Sequence, residues 1–291
     1  MIRESLKSMN LGDVNVKKDG SHKTITEIDF ETSFRPLSIT TILKSANRDT
    51  LVFHADSVPD TLKAKTSYRS FYAPVTIIEK IELNLVEVFI NQKKYEVVSI
   101  IGNSMGWYTT LVLGNVLSIK QGYDLIHTMG SMMKNQIIGG QIIYPVVDED
   151  WIENKEKKTN IISQVKKAGC YISIDLGGYV VIGGEQTSLD LLLKKLPKKE
   201  HYPFQLPYHA AFHTPLLKSI SEKAFNSISP KNFQKPSIPI IDGKGNIWSP
   251  FSTNVSSLFE YTLGDQVSNV FNFSKAMSVA LKEFCPDKVI L

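Results

Sequence analysis

A run of β-branched residues ending at a glycine-bracketed serine constrains this chain more than any other feature. Val97-Val98-Ser99-Ile100-Ile101 is short, mostly apolar, and stops at Gly102. That length and content favour a buried parallel strand over a helix. Trp107, Leu111, Val112, Val116 and Leu117 then recur on one helical face as far as Ser118. Between the two lies Gly102-Asn103-Ser104-Met105-Gly106, a G-x-S-x-G pentapeptide in the strand–turn–helix setting of a nucleophile elbow. A sharp turn there strains the backbone of Ser104, demands small residues at 102 and 106, and leaves the serine Oγ exposed above the sheet. The amide of Met105, at the start of the helix, points where an oxyanion would form. The competing reading is a glycine-rich turn that needs small residues for packing alone.

Composition narrows the class. The chain has 291 residues, 42% of them hydrophobic and 21% charged, which excludes disorder, collagen-like repeats and a coiled-coil rod. A net charge of +4 is too mild for the concentrated basic stripe of a nucleic-acid binder. The short lysine clusters at Lys17–Lys18, Lys155–Lys158 and Lys194–Lys199 read as solvated surface. Cys170 and Cys285 are too few for a disulfide framework and fit a reducing compartment. The N-terminal MIRESLKSMN lacks a signal-peptide apolar region, and no stretch approaches the roughly 18 apolar residues of a membrane helix. The expectation is a cytoplasmic globular protein with no nucleic-acid or membrane partner. The sequons at Asn254 and Asn272 then read as chance matches.

Residues 1–50 are the least legible, with a turn at Asp19-Gly20 and no strand–loop–helix unit. Ile77, Ile78, Ile81, Leu83, Leu85, Val86 and Phe89 predict a helix within 70–95. A second helix after the elbow helix is expected from Tyr123 to about Gln136. Residues 137–206 change character. Strands at 142–147, 171–174, 179–182 and 202–206 alternate with helices at 151–168 and 187–196, an order of β-α-β-β-α-β that is the ferredoxin-like pattern. The remainder predicts a helix from Pro215, a strand at 238–241, helices near 255–263 and 273–284, and a strand beginning at Lys288. The expected architecture is α/β: a hydrolase-like body with a parallel sheet, residues 1–136 and 207–291, carrying an inserted ferredoxin-like subdomain, residues 137–206.

A nucleophilic serine needs a base. Of six histidines, His209 and His213 stand out in Tyr208-His209-Ala210-Ala211-Phe212-His213-Thr214-Pro215-Leu216, among small residues and a proline at a loop-to-helix junction. His213 is the candidate general base. Their spacing of four also suits two zinc ligands on a helix, but no H-E-x-x-H pattern and no nearby third ligand accompany it, so no metal is expected. Asp242, in Ile241-Asp242-Gly243, reads equally as an orienter of the imidazole and as part of an Asp-Gly turn.

Together these segments resemble a family. Gly102-Asn103-Ser104-Met105-Gly106-Trp107 is similar to the G-H-S-x-G-E motif of the malonyl-CoA:acyl carrier protein transacylases. Ala211-Phe212-His213-Thr214-Pro215-Leu216 is similar to their P-F-H-S-P-L motif, and Leu263-Gly264-Asp265-Gln266-Val267 to the later segment that holds a glutamine. The likeness covers roughly residues 75–291. It implies a ping-pong acyltransferase in fatty-acid or polyketide synthesis. Ser104 would take an acyl group from coenzyme A, malonyl or another short acyl group, and pass it to the phosphopantetheine thiol of an acyl carrier protein. His213 would be the base, oriented by backbone carbonyls, and the Met105 amide would form half of the oxyanion hole. Asn103, Trp107, Met129 and Gln266 would line the substrate pocket, with simple packing as the other reading of Trp107. No cofactor is implied.

The departures from the family pattern also carry expectations. Residues 1–50 lack its F-P-G-Q-G strand end, and its glycine-rich loop after the last strand is absent, so both ends read as trimmed or divergent. Met129 in His127-Thr128-Met129-Gly130 stands where an arginine grips the malonyl carboxylate, which brings acetyl and longer neutral groups into consideration. Hydrolysis of acyl groups from carrier proteins, and a non-catalytic carrier-protein binder, are the alternative functions.

Overall fold

The computed structural model describes residues 39–45, 50–52, 95–133, 137–207 and 209–290. The helix expected within 70–95, the Asp19-Gly20 turn and the last residues of the helix expected to reach Gln136 lie outside them. In chain order the first elements are β1 (Ile39–Ser45), β2 (Thr50–Val52), β3 (Tyr95–Gly102), α1 (Gly106–Leu113) and α2 (Ile119–Met132). Next come β4 (Gly140–Pro145), α3 (Lys155–Lys167), β5 (Tyr171–Asp175), β6 (Tyr179–Gly184), α4 (Gln186–Lys195) and β7 (Phe204–Leu206). The chain continues through a 3₁₀ turn at Pro215–Leu217 into α5 (Lys218–Ser227), then β8 (Ile240–Ile241) and β9 (Ile247–Trp248). It ends with α6 (Val255–Leu263), α7 (Asp265–Ser268), β10 (Phe271–Asn272), α8 (Phe273–Phe284) and β11 (Lys288–Ile290).

The first sheet runs β11-β1-β3-β8-β9, with β2 paired to β1. Its β3–β8 pair is parallel, with Ile100 opposite Ile240 and Ile101 opposite Ile241. Alternation along the strand sends these pairs to opposite faces. Ile100 and Ile240 pack with Trp107, Leu111, Leu125 and Met129 in one core. Ile101 and Ile241 join Ile142, Val180, Phe271 and Met277 in the other. A strand buried on both faces explains the near-continuous apolar run at 97–101. The sheet is nonetheless mixed, where a parallel one was expected. β1 lies antiparallel to β3, in the region that gave no legible unit, and β9 returns antiparallel to β8 across the tight turn at Asp242–Gly245.

The second sheet has the order β10-β5-β6-β4-β7. Its β4, β5, β6 and β7 alternate with α3 and α4 as β-α-β-β-α-β along the chain. Ile161 and Val165 of α3 and Leu189 and Leu192 of α4 are the buried faces of these two helices. The fifth strand comes from outside this stretch: β10 lies parallel to β5, with Phe271 opposite Ile174. The two asparagines of the sequons serve the helices. Asn254 caps α6 by accepting from the amide of Ser257, and Asn272 caps α8 by accepting from that of Lys275. No helix of the described residues is long and apolar enough to cross a membrane.

Leu189 is fully buried beneath β6. Leu189→Ala is expected to lower unfolding free energy by about 2–5 kcal/mol through the cavity it leaves, read as a shifted urea midpoint.

Candidate active site

β3 delivers the chain to Ser104 at full extension, and α1 must begin two residues later. The turn is made by placing Ser104 in the left-handed region at φ 56°, a conformation that non-glycine residues rarely adopt and that carries strain. Gly102, two residues before it, must be bare of a side chain. A Cβ on Gly102 would sit 2.2 Å from the carbonyl oxygen of Gly106, a distance no side chain can occupy. The amide of Gly106 then bonds to the Asn103 carbonyl and that of Trp107 to the Ser104 carbonyl, which starts the helix. The Met105 amide is one of the first helical donors, and no described group accepts from it.

The second half of the site is the loop ending at His213, which is also left-handed, at φ 57°. Its amide donates to the carbonyl of Val267, tying the loop to α7. The imidazole spans the gap between α7 and the elbow. Nδ1 lies 2.6 Å from the carbonyl oxygen of Gln266, and a carbonyl only accepts, so Nδ1 carries the proton. Nε2 is therefore the basic nitrogen, and it lies 2.7 Å from Ser104 Oγ. Burial pushes the pKa of His213 down to about 4, partly opposed by the Gln266 carbonyl, so the ring is neutral at ordinary pH.

Gln266, expected to line a substrate pocket, lies between His213 and the elbow. It is only 3% exposed. Besides its carbonyl on His213, its side-chain amide donates to the Ser104 carbonyl at 2.7 Å. One residue thus holds both members of the pair. Its Oε1 accepts from the Tyr261 hydroxyl at 3.3 Å, and that hydroxyl accepts from the Gly243 amide at 2.8 Å. Tyr261 escaped the sequence reading, although a hydroxyl on the apolar face of a predicted helix marks a position needing a partner.

This arrangement can be set beside known proteins. No family model matches the chain. The polyketide biosynthesis acyltransferase homolog PksD of Bacillus subtilis is 25% identical over 142 residues, 49% of this chain and 42% of that protein. A probable polyketide synthase 24 of Dictyostelium discoideum is 26% identical over 230 residues, 76% of this chain and 8% of that protein. The chain thus spans less than half the length of either relative. Among solved structures, a Synechocystis malonyl-CoA:ACP transacylase superposes with a TM-score of 0.59 over 75% of this chain and 68% of its own, at 16% identity. The malonyl CoA-acyl carrier protein transacylase of Clostridium perfringens gives 0.59 over 77% and 68%, at 21% identity. This chain has the malonyl-CoA:acyl carrier protein transacylase fold. The resemblance read from the two motifs is thereby borne out at the level of architecture.

Within the transacylase fold the other expected residues are readily located. Asn103 is buried beside the elbow serine. Trp107 is fully buried, donates from Nε1 to Thr262 Oγ1 at 3.1 Å and meets Tyr261 edge-on, which is the packing reading of this residue. Met129 lies on α2, within the core that contains Trp107 and Leu125. Asp242 does not reach His213. It accepts from the amides of Lys244 and Asn246 and from the side chains of Asn246 and Trp248, which is the turn reading. His209 and His213 share no helix, since the first helical turn begins at Pro215. His209 Nδ1 faces Gln141 Oε1 at 3.0 Å. Among the described residues no group of three or more His, Cys, Asp or Glu could hold a metal ion.

Two outcomes follow. Gly102→Ala is expected to disrupt the elbow and lower the thermal midpoint, because the clash is with backbone that cannot move aside. For His213 the folded pKa, about 4, lies below the ordinary 6.5, so between those values the unfolded chain binds more protons. Its contribution to stability is complete above about pH 6.5 and is lost as pH falls to 4. His213→Gln should remove this component from denaturation curves measured across that interval.

Proposed function

We propose that this chain is an acyltransferase of carrier-protein-linked biosynthesis that works through an acyl-serine on Ser104. The observation that carries the reading is the 2.7 Å approach of Ser104 Oγ to the unprotonated Nε2 of His213, at a serine held in a strained left-handed turn. The relatives' names, a polyketide acyltransferase homolog and malonyl-CoA:ACP transacylases, point to the same chemistry.

In the first half-reaction His213 Nε2 takes the Ser104 proton while Oγ attacks the thioester carbonyl of an acyl-CoA. The Met105 amide, at the N-terminus of α1, donates to the developing oxyanion. The carbon–sulfur bond then breaks, His213 Nε2 gives its proton to the departing sulfur, and coenzyme A leaves as the thiol. In the second half-reaction the phosphopantetheine thiol of an acyl carrier protein gives its proton to His213 and attacks the acyl-serine. Ser104 leaves and recovers that proton. Each proton shuttles through Nε2 alone, because Nδ1–H stays on the Gln266 carbonyl. A base with a pKa near 4 is ionisation-ready at every pH above it, so acylation should lose rate only below about pH 5.

The chain is read as a hydrolase-like body, residues 1–136 and 207–291, with a ferredoxin-like insert, residues 137–206. The strand order β7-β4-β6-β5 in the second sheet supports the insert. A cytoplasmic location accords with two free cysteines, one of them, Cys170, buried with its thiol pKa raised to about 11. Malonyl is the leading acyl group, with acetyl beside it because an apolar Met129 offers no charge to a carboxylate.

Intact mass after incubation with malonyl-CoA and acetyl-CoA separately is the test. The wild type is expected to gain the mass of one acyl group and Ser104→Ala to gain none. Absence of any adduct with both donors would overturn both acyl assignments. Release of the acyl group to water as fast as to carrier protein would make the enzyme a hydrolase.

A further inference from the structure

The second sheet carries two polar side chains where its pattern calls for apolar ones. Gln141 on β4 is 2% exposed, and Ser173 on β5 is fully buried. Buried polar groups are costly unless hydrogen-bonded, so the destination of their bonds indicates what they are for. Gln141 Nε2 donates to Ser173 Oγ at 2.7 Å and to the carbonyl oxygen of Phe212 at 3.3 Å. Ser173 Oγ, accepting from Gln141, donates its own proton to the same Phe212 carbonyl at 2.7 Å. His209 Nδ1 and Gln141 Oε1, 3.0 Å apart, fix which way the Gln141 amide faces. Both polar residues therefore converge on one atom, the carbonyl oxygen of the residue immediately before His213.

The backbone of the sheet is shaped to make this possible. The β5–β6 register shifts between Ile172 and Ile174, so Ser173 is the extra residue of a β-bulge. A bulge re-aims the side chain it carries, here toward the histidine loop instead of along the regular pleat. Gly183, paired with Tyr171 close to the bulge, admits that loop. A Cβ there would meet the Thr214 methyl at 2.6 Å and the Ala211 Cα at 3.6 Å. Ala211 also donates its amide to the Ile138 carbonyl at the approach to β4, and Thr214 Oγ1 donates to the Ala211 carbonyl. A left-handed, non-glycine residue such as His213 persists only where its surroundings over-determine it. From α7 it is held by Gln266 and Val267. On the other side stands the bulged sheet.

We propose that Ser173 and Gln141 are positioning residues for His213: through the Phe212 carbonyl they set the backbone that aims Nε2 at Ser104. The proposal rests on the reading of Ser104 and His213 as nucleophile and base. Misplacing a reacting group by about an ångström costs on the order of 10²-fold in rate, so loosening this anchor acts on the chemical step and not on recognition of the acyl donor.

The test uses a fluorophosphonate, which phosphonylates an activated serine with loss of fluoride and depends on no particular acyl group. The full chain is reacted and analysed by intact mass over time, which gives a rate constant and a final labelled fraction. The wild type is expected to label once, at Ser104. Ser173→Ala should label to the same final fraction with a rate constant about tenfold lower. Ser173→Ala combined with Gln141→Met should lower it about a hundredfold, and Ser173→Thr, which keeps the hydroxyl, should recover most of the loss. Wild-type rate constants in Ser173→Ala overturn the proposal. So does a reduced labelled fraction at unchanged rate constant, which is the signature of a purely structural role. If the double variant does not fold, Ser173→Ala against Ser173→Thr decides. A wild type that does not label at Ser104 overturns the nucleophile reading, and the positioning role with it.

Discussion

The site depends on a single hydrogen bond, from His213 Nδ1 to the backbone carbonyl of Gln266. Because a carbonyl can only accept, the bond settles the tautomer of the imidazole and leaves the Nε2 lone pair directed at Ser104. No acid performs this task. The buried carboxyl nearest in the chain's logic, Asp242, spends its acceptors on its own hairpin turn, whose Gly243 amide supports Tyr261 and, through Tyr261, the Gln266 side chain. A neutral orienter has a physical consequence for the ring. With no negative charge beside it among the described residues to favour the imidazolium, burial dominates and the histidine stays unprotonated well below its ordinary range.

Both ends of the Ser104–His213 contact sit on strained backbone, and each is restrained by a different device. At Ser104 the restraint is steric absence, since Gly102 and Gly106 approach closer than any side chain allows. At His213 it is bonding: the amide to Val267, the ring to Gln266, and the preceding carbonyl to the buried pair on the second sheet. Gln266 links the two by reaching the Ser104 carbonyl with its side chain. The 2.7 Å contact is thus a meeting of two rigid backbones rather than of two flexible side chains.

Legibility from sequence followed the locality of each signal. The strand, elbow and helix at 95–113 were readable because apolar period and glycine placement are short-range and physically demanding. The order of strands and helices in 140–206 was readable for the same reason. The antiparallel β1 was not, because residues 1–50 show only a weak apolar pattern, although β1 is an interior strand paired with β3, β2 and β11. His213 could be singled out from its neighbours, but its orienter could not, since a backbone carbonyl has no sequence signature. Gln266 was therefore identified as a residue of interest, but not as the one whose carbonyl holds the imidazole. Ser173 and Gln141 were invisible: a serine inside Tyr171-Ile172-Ser173-Ile174 looks like ordinary alternation until a bulge turns it inward.

The parallel pairing of β10 with β5 bears on how this architecture can be taken apart or recombined. A stretch cut at 137 and 206 would leave without the strand that covers one of its edges, because Phe271 and Asn272 belong to the segment that connects α7 to α8. The exposed backbone of β5 would become a template for pairing with another copy of itself. The stretch 137–206 is contiguous in sequence but not self-sufficient in hydrogen bonding. Its exchange between related chains therefore has to carry the downstream segment along, or find there a strand of matching register.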